Sequence, residues 1–191
     1  MPSHVTIGGG LLPEGGSRLD PLMLVLRLFH IVGGALWFGS AFLFTGFLGP
    51  SAAETAPSSG PVMHGVIKKR RGAEVIKWLA ITTVIAGWAL WLRNALLYPS
   101  IGEWVTSSFG IVLTIGGIAA TAAAYFGITG IGNNVEKLVS IGDEVGASGG
   151  PPTPEQGAEM ARLGAEIQRH SKIDIVLLFI AVIAMATARY W

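Results

Sequence analysis

Four apolar stretches, at about 22–48, 74–98, 104–129 and 172–190, constrain this chain more than any motif in it. Each is close to or longer than the roughly 20 residues an α-helix needs to cross a hydrocarbon core about 30 Å thick. Inside lipid every backbone N–H and C=O must be paired within the segment, so stretches of this length are expected to be helices. The expected fold class is all-α: a polytopic membrane protein with a four-transmembrane-helix bundle, in a single domain covering 1–191. Of the residues, 51% are hydrophobic and only 13% charged, and the charge lies between the spans. That leaves little material for a separate water-soluble domain.

Several function classes fall away at once. The chain has no cysteine, which excludes disulfides, thiolate metal sites and thiol nucleophiles. A net charge of +1 points to no nucleic-acid partner. The spans hold no His-x-x-x-His, no Glu-x-x-His and no pair of carboxylates, and their serines and threonines have no partnered base. Dinuclear metal chemistry, carboxylate acid/base chemistry and hydrolysis therefore lack a foundation. Residues 1–20 lack a basic segment followed by an apolar one, so no secretory signal is expected there. They read as a glycine-rich lead-in closed by Asp20 as N-cap and Pro21 as first helical residue.

Lysine and arginine set the expected orientation. Lys68, Lys69, Arg70, Arg71, Lys77, Lys137, Arg162, Arg169 and Lys172 fall on one side of the membrane; Arg18, Arg27, Arg93 and Arg189 fall on the other. The richer side should be cytoplasmic, which places both termini outside a cell inner (plasma) membrane. The bilayer itself is the expected partner, with anionic lipid near Lys68–Arg71.

Between the spans, Trp88, Trp91, Tyr98 and Trp104 read as an interfacial aromatic belt. The third span is crowded with small residues (Gly110, Gly116, Gly117, Ala119, Ala120, Ala122–Ala124, Gly127), and is expected to be the most buried, because small side chains let helices approach closely in lipid. The first span should end near Gly49-Pro50. Residues 130–171 read as a cytoplasmic loop, with a flexible centre from Gly142 to Pro154. In it a short helix opens on the capping box Thr153-Pro154-Glu155-Gln156 and runs on into the last span.

One side chain stands out for chemistry. His30 lies about eight residues into the first span, with Arg27 on the same face one turn nearer the outside. Ionisable groups within a span are costly and usually face a bundle interior or a polar cavity. A neutral imidazole is a ready ligand for haem iron or copper, and Arg27 beside it would suit a porphyrin propionate. His30 could equally hydrogen-bond a neighbouring helix while Arg27 reaches for headgroups. Met185 lies at a matching depth in the fourth span, either as a second metal ligand or as core filling. His64 and His170 fall at the opposite membrane face, and His4 in the outer tail.

The run Leu28-Phe29-His30-Ile31-Val32-Gly33-Gly34-Ala35-Leu36-Trp37-Phe38-Gly39 resembles the first span of small four-helix membrane proteins of the copper-resistance D family and of the HemJ-type membrane protoporphyrinogen oxidases. In those families a first-span histidine is associated with copper or haem b, and His30 is the matching position. The basic stretch Lys68–Arg71 leading into the second span is similar too. The resemblance does not extend to the His and Lys that open the oxidases' third span, where this chain has Val105-Thr106-Ser107-Ser108. Nor does it extend to their Asn-Glu-x-Pro signature, where Ser171-Lys172-Ile173-Asp174 stands. The first expectation is thus a haem-b- or porphyrin-binding membrane protein, with His30 as axial ligand, Arg27 on a propionate and Trp37, one heptad on, walling the pocket. The alternatives are a cofactor-free accessory subunit of a membrane complex, with homodimerisation open, and a copper-handling protein.

Overall fold

The computed structural model describes residues 20–56 and 58–191, and the expectations for the lead-in, Arg18 and His4 lie outside them. Helix α1 spans Pro21–Glu54, α3 Gly72–Ala95, α5 Ser108–Ser148 and α6 Pro154–Tyr190; these four are long and apolar enough to cross a membrane. Two short helices, α2 (Gly60–His64) and α4 (Ile101–Thr106), join them. No strand occurs among the described residues, so the all-α four-helix bundle is the fold. The long helices alternate in direction between a basic end, near Lys68–Arg71, and an aromatic end, near Trp91 and Trp104.

Local chemistry sets the helix starts where the sequence places them. Asp20 Oδ1 accepts from the Leu22 and Met23 N–H groups at 3.1 and 3.3 Å, with Pro21 in the first turn. The other oxygen of Asp20 pairs with Arg93 Nη2 at 2.6 Å, tying the start of α1 to the end of α3. At α6 the capping box forms: Thr153 Oγ1 accepts from Gln156 N at 3.2 Å, and Thr153 N donates to Gln156 Oε1 at 3.1 Å.

Two expectations about helix bounds need correcting. Helix α1 does not stop at Gly49-Pro50; a π-helical turn over Phe44–Leu48 precedes the proline and carries the helix on to Glu54. Such a turn alters the hydrogen-bond spacing just where proline offers no N–H. Residues 130–171 are not a loop with one short helix, because α5 runs on to Ser148 and α6 begins at Pro154. Gly142 and Gly146 have open space around them, and each costs only about 1 kcal/mol of helix propensity. The half-buried stripe Leu138, Ile141 and Val145 outweighs that by packing toward α6, where Leu163 is fully buried. The chain finally turns at Gly149, whose φ of 68° suits a glycine. The third span, packed against both α3 and α6, carries more buried positions than the other spans: Gly110, Gly116, Ala119, Ala120 and Ala123.

That burial follows from how α5 and α6 meet. Their antiparallel faces pair small residues of α5 with larger ones of α6: Gly116 with Met185 and Ala184, Gly127 with Asp174, and Gly130 with His170. Ala119 and Ala120 pack with Ala181, and Ala123 with Leu178. The glycine or alanine opens the space that receives the side chain from α6. At mid-bundle the four helices contribute one residue each to a layer of Trp37, Ala80, Ala123 and Leu178.

Trp88 and Trp91 reach across from α3 and donate to Thr121 and Thr114 of α5, each at 2.9 Å. Trp104 is not part of an exposed belt; it has no accessible surface and stacks edge-on with Trp91, Tyr98 and Phe109. The large exposed apolar side chains are concentrated on the outward faces of the spans, as with Phe29, Ile31 and Leu36 of α1.

At the basic end α2 is clasped to the extension of α5. Asp143 Oδ1 lies 3.1 Å from His64 Nε2, and its Oδ2 accepts from Lys68. The Lys68 ammonium holds the Asp143 carboxyl below its ordinary value of 3.8, so its share of the clasp is complete above that pH and disappears as pH falls through the lowered value. Amide protection in 60–69, taken relative to the intrinsic exchange rate at each pH, should fall in acid, and Asp143→Asn should bring the acid value to neutral pH; unchanged protection would remove the clasp. In the membrane, a Cβ at Gly116 would stand 3.2 Å from the Ala184 methyl. Gly116→Val should therefore destabilise the bundle by about 1–3 kcal/mol, while Gly142→Ala, in open space, should not destabilise it; thermal unfolding in detergent compares the two.

Candidate functional site

His30 sits half-buried where α1 crosses α3. Its Nδ1 lies 2.9 Å from the Thr83 carbonyl oxygen. A carbonyl only accepts, so Nδ1 carries the proton, and in the neutral ring the lone pair is left on Nε2. The ring lies in a bay opened by Gly87: a Cβ there would be 2.7 Å from Cε1 and 2.9 Å from Nδ1. One turn along α1, the Cβ position of Gly33 falls 2.7 Å from Thr83 Oγ1, a buried hydroxyl without a hydrogen-bond partner. Glycines on both helices thus bring the imidazole onto the α3 backbone.

The other residues singled out from sequence lie as follows. Arg27 is exposed, one turn toward the aromatic end, and makes no ion pair among the described residues. Trp37 is 4% exposed and belongs to the mid-bundle layer, about 10 Å along α1 from His30. Met185 packs against Gly116 and the Ala119, Ala120 and Ala181 cluster, in the α5–α6 seam. His30 and Met185 are therefore held in different seams. His64 and His170 are at the basic end, on Asp143 and in the α5–α6 seam respectively. No group of three or more His, Asp or Glu fit to hold a metal ion occurs among the described residues.

For a porphyrin, these residues fit a single axial nitrogen, offered by a ring whose other nitrogen is already oriented by a carbonyl. A porphyrin does not fit beside Trp37 in the bundle interior, which Ala80, Ala123 and Leu178 fill. The group would have to lie on the outward side of α1 and α3. Two open surface grooves, about 580 Å³ along Arg70, Arg71, Val75 and Trp78 and about 430 Å³ along Trp88, Ile118 and Tyr125, do not include His30.

Sequence reasoning passed over a second polar site. Asp174 is 3% exposed, deep in the α5–α6 seam, and its Oδ1 has no hydrogen-bond partner among the described residues. Gly127 faces it, the Cβ position 3.5 Å from Oδ1. One turn toward the basic end is His170, its Nδ1 2.8 Å from the Glu166 carbonyl oxygen and its ring over Gly130, inclined 30° to the Phe126 ring. Another turn on is Glu166, which accepts from Asn134 Nδ2 at 3.1 Å and from Arg162 Nη1 at 2.6 Å. A π-helical turn of α5, Gly127–Gly132, lies against this row. The available signal was the four-residue spacing of Arg162, Glu166, His170 and Asp174, together with the position of Asp174: apart from Glu74 at the mouth of the second span, it is the only acid in the four apolar stretches.

No family profile, curated protein or solved structure matches this chain. The geometry alone generates the next expectation. Gly87→Ala should push the His30 ring off α3 and break its bond to the Thr83 carbonyl, seen as a shift of the His30 ring-nitrogen resonances; an unshifted Nδ1 would mean that the bay does not position the ring.

Proposed function

We propose that this chain is a haem-b- or porphyrin-binding protein of the plasma membrane, with His30 as the single axial ligand through Nε2. The observation that carries the reading is the Nδ1–H bond to the Thr83 carbonyl, which fixes the tautomer and leaves Nε2 to donate its lone pair. The Gly87 bay restricts the ring to one position, so little rotamer freedom remains to be lost on ligation. Arg27, one turn outward and without an ion pair among the described residues, supplies a cation for a propionate. Trp37 and its layer close the interior, so ligation would occur on the outward face of α1, against lipid or a second subunit. When bound, haem would supply one-electron chemistry; a single histidine and no second haem site disfavour a relay across the membrane. In this reading the basic end faces the cytoplasm and both termini lie outside.

A specific observation also favours a cofactor-free accessory subunit of a membrane complex. The bond to Thr83 already satisfies His30 as a polar hook between α1 and α3, a role that needs no ligand. Copper handling is the weaker alternative, since His30 and Met185 lie in different seams. Absorption spectra of detergent-purified protein, oxidised and dithionite-reduced, with metal analysis of the same sample, separate the three. Under the haem reading a Soret band with reduced α and β peaks is present and is lost in His30→Ala. A featureless spectrum with stoichiometric copper would replace haem with copper, and neither signal would leave the accessory role.

A further inference from the structure

Asp174 raises a problem that the His30 site does not answer. A carboxyl oxygen buried among apolar side chains with no donor is costly, and a group of this kind within a span usually has a functional partner. The groups around it are few. On α5 the facing positions are Ala123, Gly127 and Gly130, none ionisable, with Asn134 beyond them bound to Gly130 O at 2.8 Å and to Glu166. Glu136 and Lys137 follow on α5 at exposed positions. Helix α1 has no ionisable residue between His30 and Glu54. On α3 the nearest in sequence, Glu74 and Lys77, pair with each other at 2.8 Å at the basic end. On α6 itself Lys172 is exposed, and the residues on the Asp174 face are His170 and Glu166. No fixed cation is paired with Asp174 among the described residues.

Two occupants could answer the free oxygen, a proton or a metal cation. A dehydrated cation such as calcium wants six or more oxygen ligands. Asp174 is met instead by a glycine, and no multi-ligand cluster accompanies it. Exposure along α6 supplies the route: the Arg162 and Glu166 side chains are 51% and 40% exposed, His170 is half-buried and Asp174 is closed off. Each is one turn from the next, and the π turn with its glycines admits the imidazole midway. π turns recur at functional sites because they break the regular hydrogen-bond ladder.

We propose that Asp174 is a proton-binding site that exchanges with water at the basic end through His170. His170 keeps Nδ1–H on the Glu166 carbonyl, takes a proton from water at Nε2, and gives it to Asp174, returning to the neutral ring as the carboxylate becomes a carboxylic acid. Glu166, held by Arg162 and Asn134, keeps the entrance polar. This assignment is independent of whether His30 binds a porphyrin.

The test is infrared difference spectroscopy of the full chain in lipid nanodiscs, alkaline minus acid, followed by deuterium exchange. A carboxylic C=O band should appear that is absent in the near-isosteric Asp174→Asn. Its exchange should slow about a hundredfold in His170→Phe, the size of effect a positioned proton-transfer group typically has. His170→Gln serves if the phenylalanine variant does not fold. Glu136→Gln, outside the row, should leave the rate unchanged. No band assignable to Asp174 would overturn the proposal, as would an exchange rate indifferent to both His170 variants. A band displaced by sodium or potassium at constant pH would make the site a cation site and overturn it equally.

Discussion

The rest of the bundle depends on close approach between α5 and α6. In lipid no hydrophobic effect draws two apolar helices together; they associate through van der Waals contact and through hydrogen bonds that cannot be made to water. Gly116, Ala119, Ala120, Ala123, Gly127 and Gly130 give α5 a nearly flat face, and α6 lays a continuous row of side chains on it. Because these pairs stay in register over several turns, the seam sets both the depth and the rotation of α6. Leu178 is thereby delivered to the layer with Trp37, and Asp174 to a place where its Oδ1 meets no donor among the described residues. The same contact both holds the bundle and creates its costliest residue.

The two candidate sites are built alike from opposite halves of the molecule. In each, a histidine donates Nδ1–H to a helix carbonyl and rests on a glycine, Gly87 for His30 and Gly130 for His170. His30 borrows the carbonyl from a neighbouring helix, whereas His170 uses the one a turn earlier in its own. Both therefore keep Nε2 as the reactive nitrogen. What separates them is their surroundings: His30 has a lone exposed arginine nearby, while His170 stands in a graded row of charged and polar groups. Chemistry at the first would depend on a bound group, and chemistry at the second on water at the basic end.

Much of this was legible in the sequence because membrane helices obey few rules strictly. Length and hydropathy placed the four spans; Asp20-Pro21 and Thr153 to Gln156 placed two helix starts to the residue. His30 was visible as an ionisable group where such groups are expensive. What could not be read depended on partners. Gly142 and Gly146 resemble loop residues until Leu138, Ile141 and Val145 are known to have Leu163 to pack toward. Pro50 resembles a terminator until a π turn precedes it. Trp104 resembles a belt residue until Tyr98 and Phe109 close over it. Asp174 fell at the margin of a span, where an acid passes for a solvated flank; only the pairing with Gly127 shows that it is enclosed.

The continuity of α5 and α6 carries a mechanical consequence. From Gly127 to Ser148 the helix runs about 30 Å at 1.5 Å per residue with its partner alongside, and the two join through a turn of only a few residues. Such a pair is a stiff lever. The clasp of His64 and Lys68 on Asp143 touches it partway out, as a fulcrum would, and the π turn at Gly127–Gly132 forms its root. A body that took hold of the tip at 149–153 would move the root without touching the membrane, and the carboxyl of Asp174 lies beside that root.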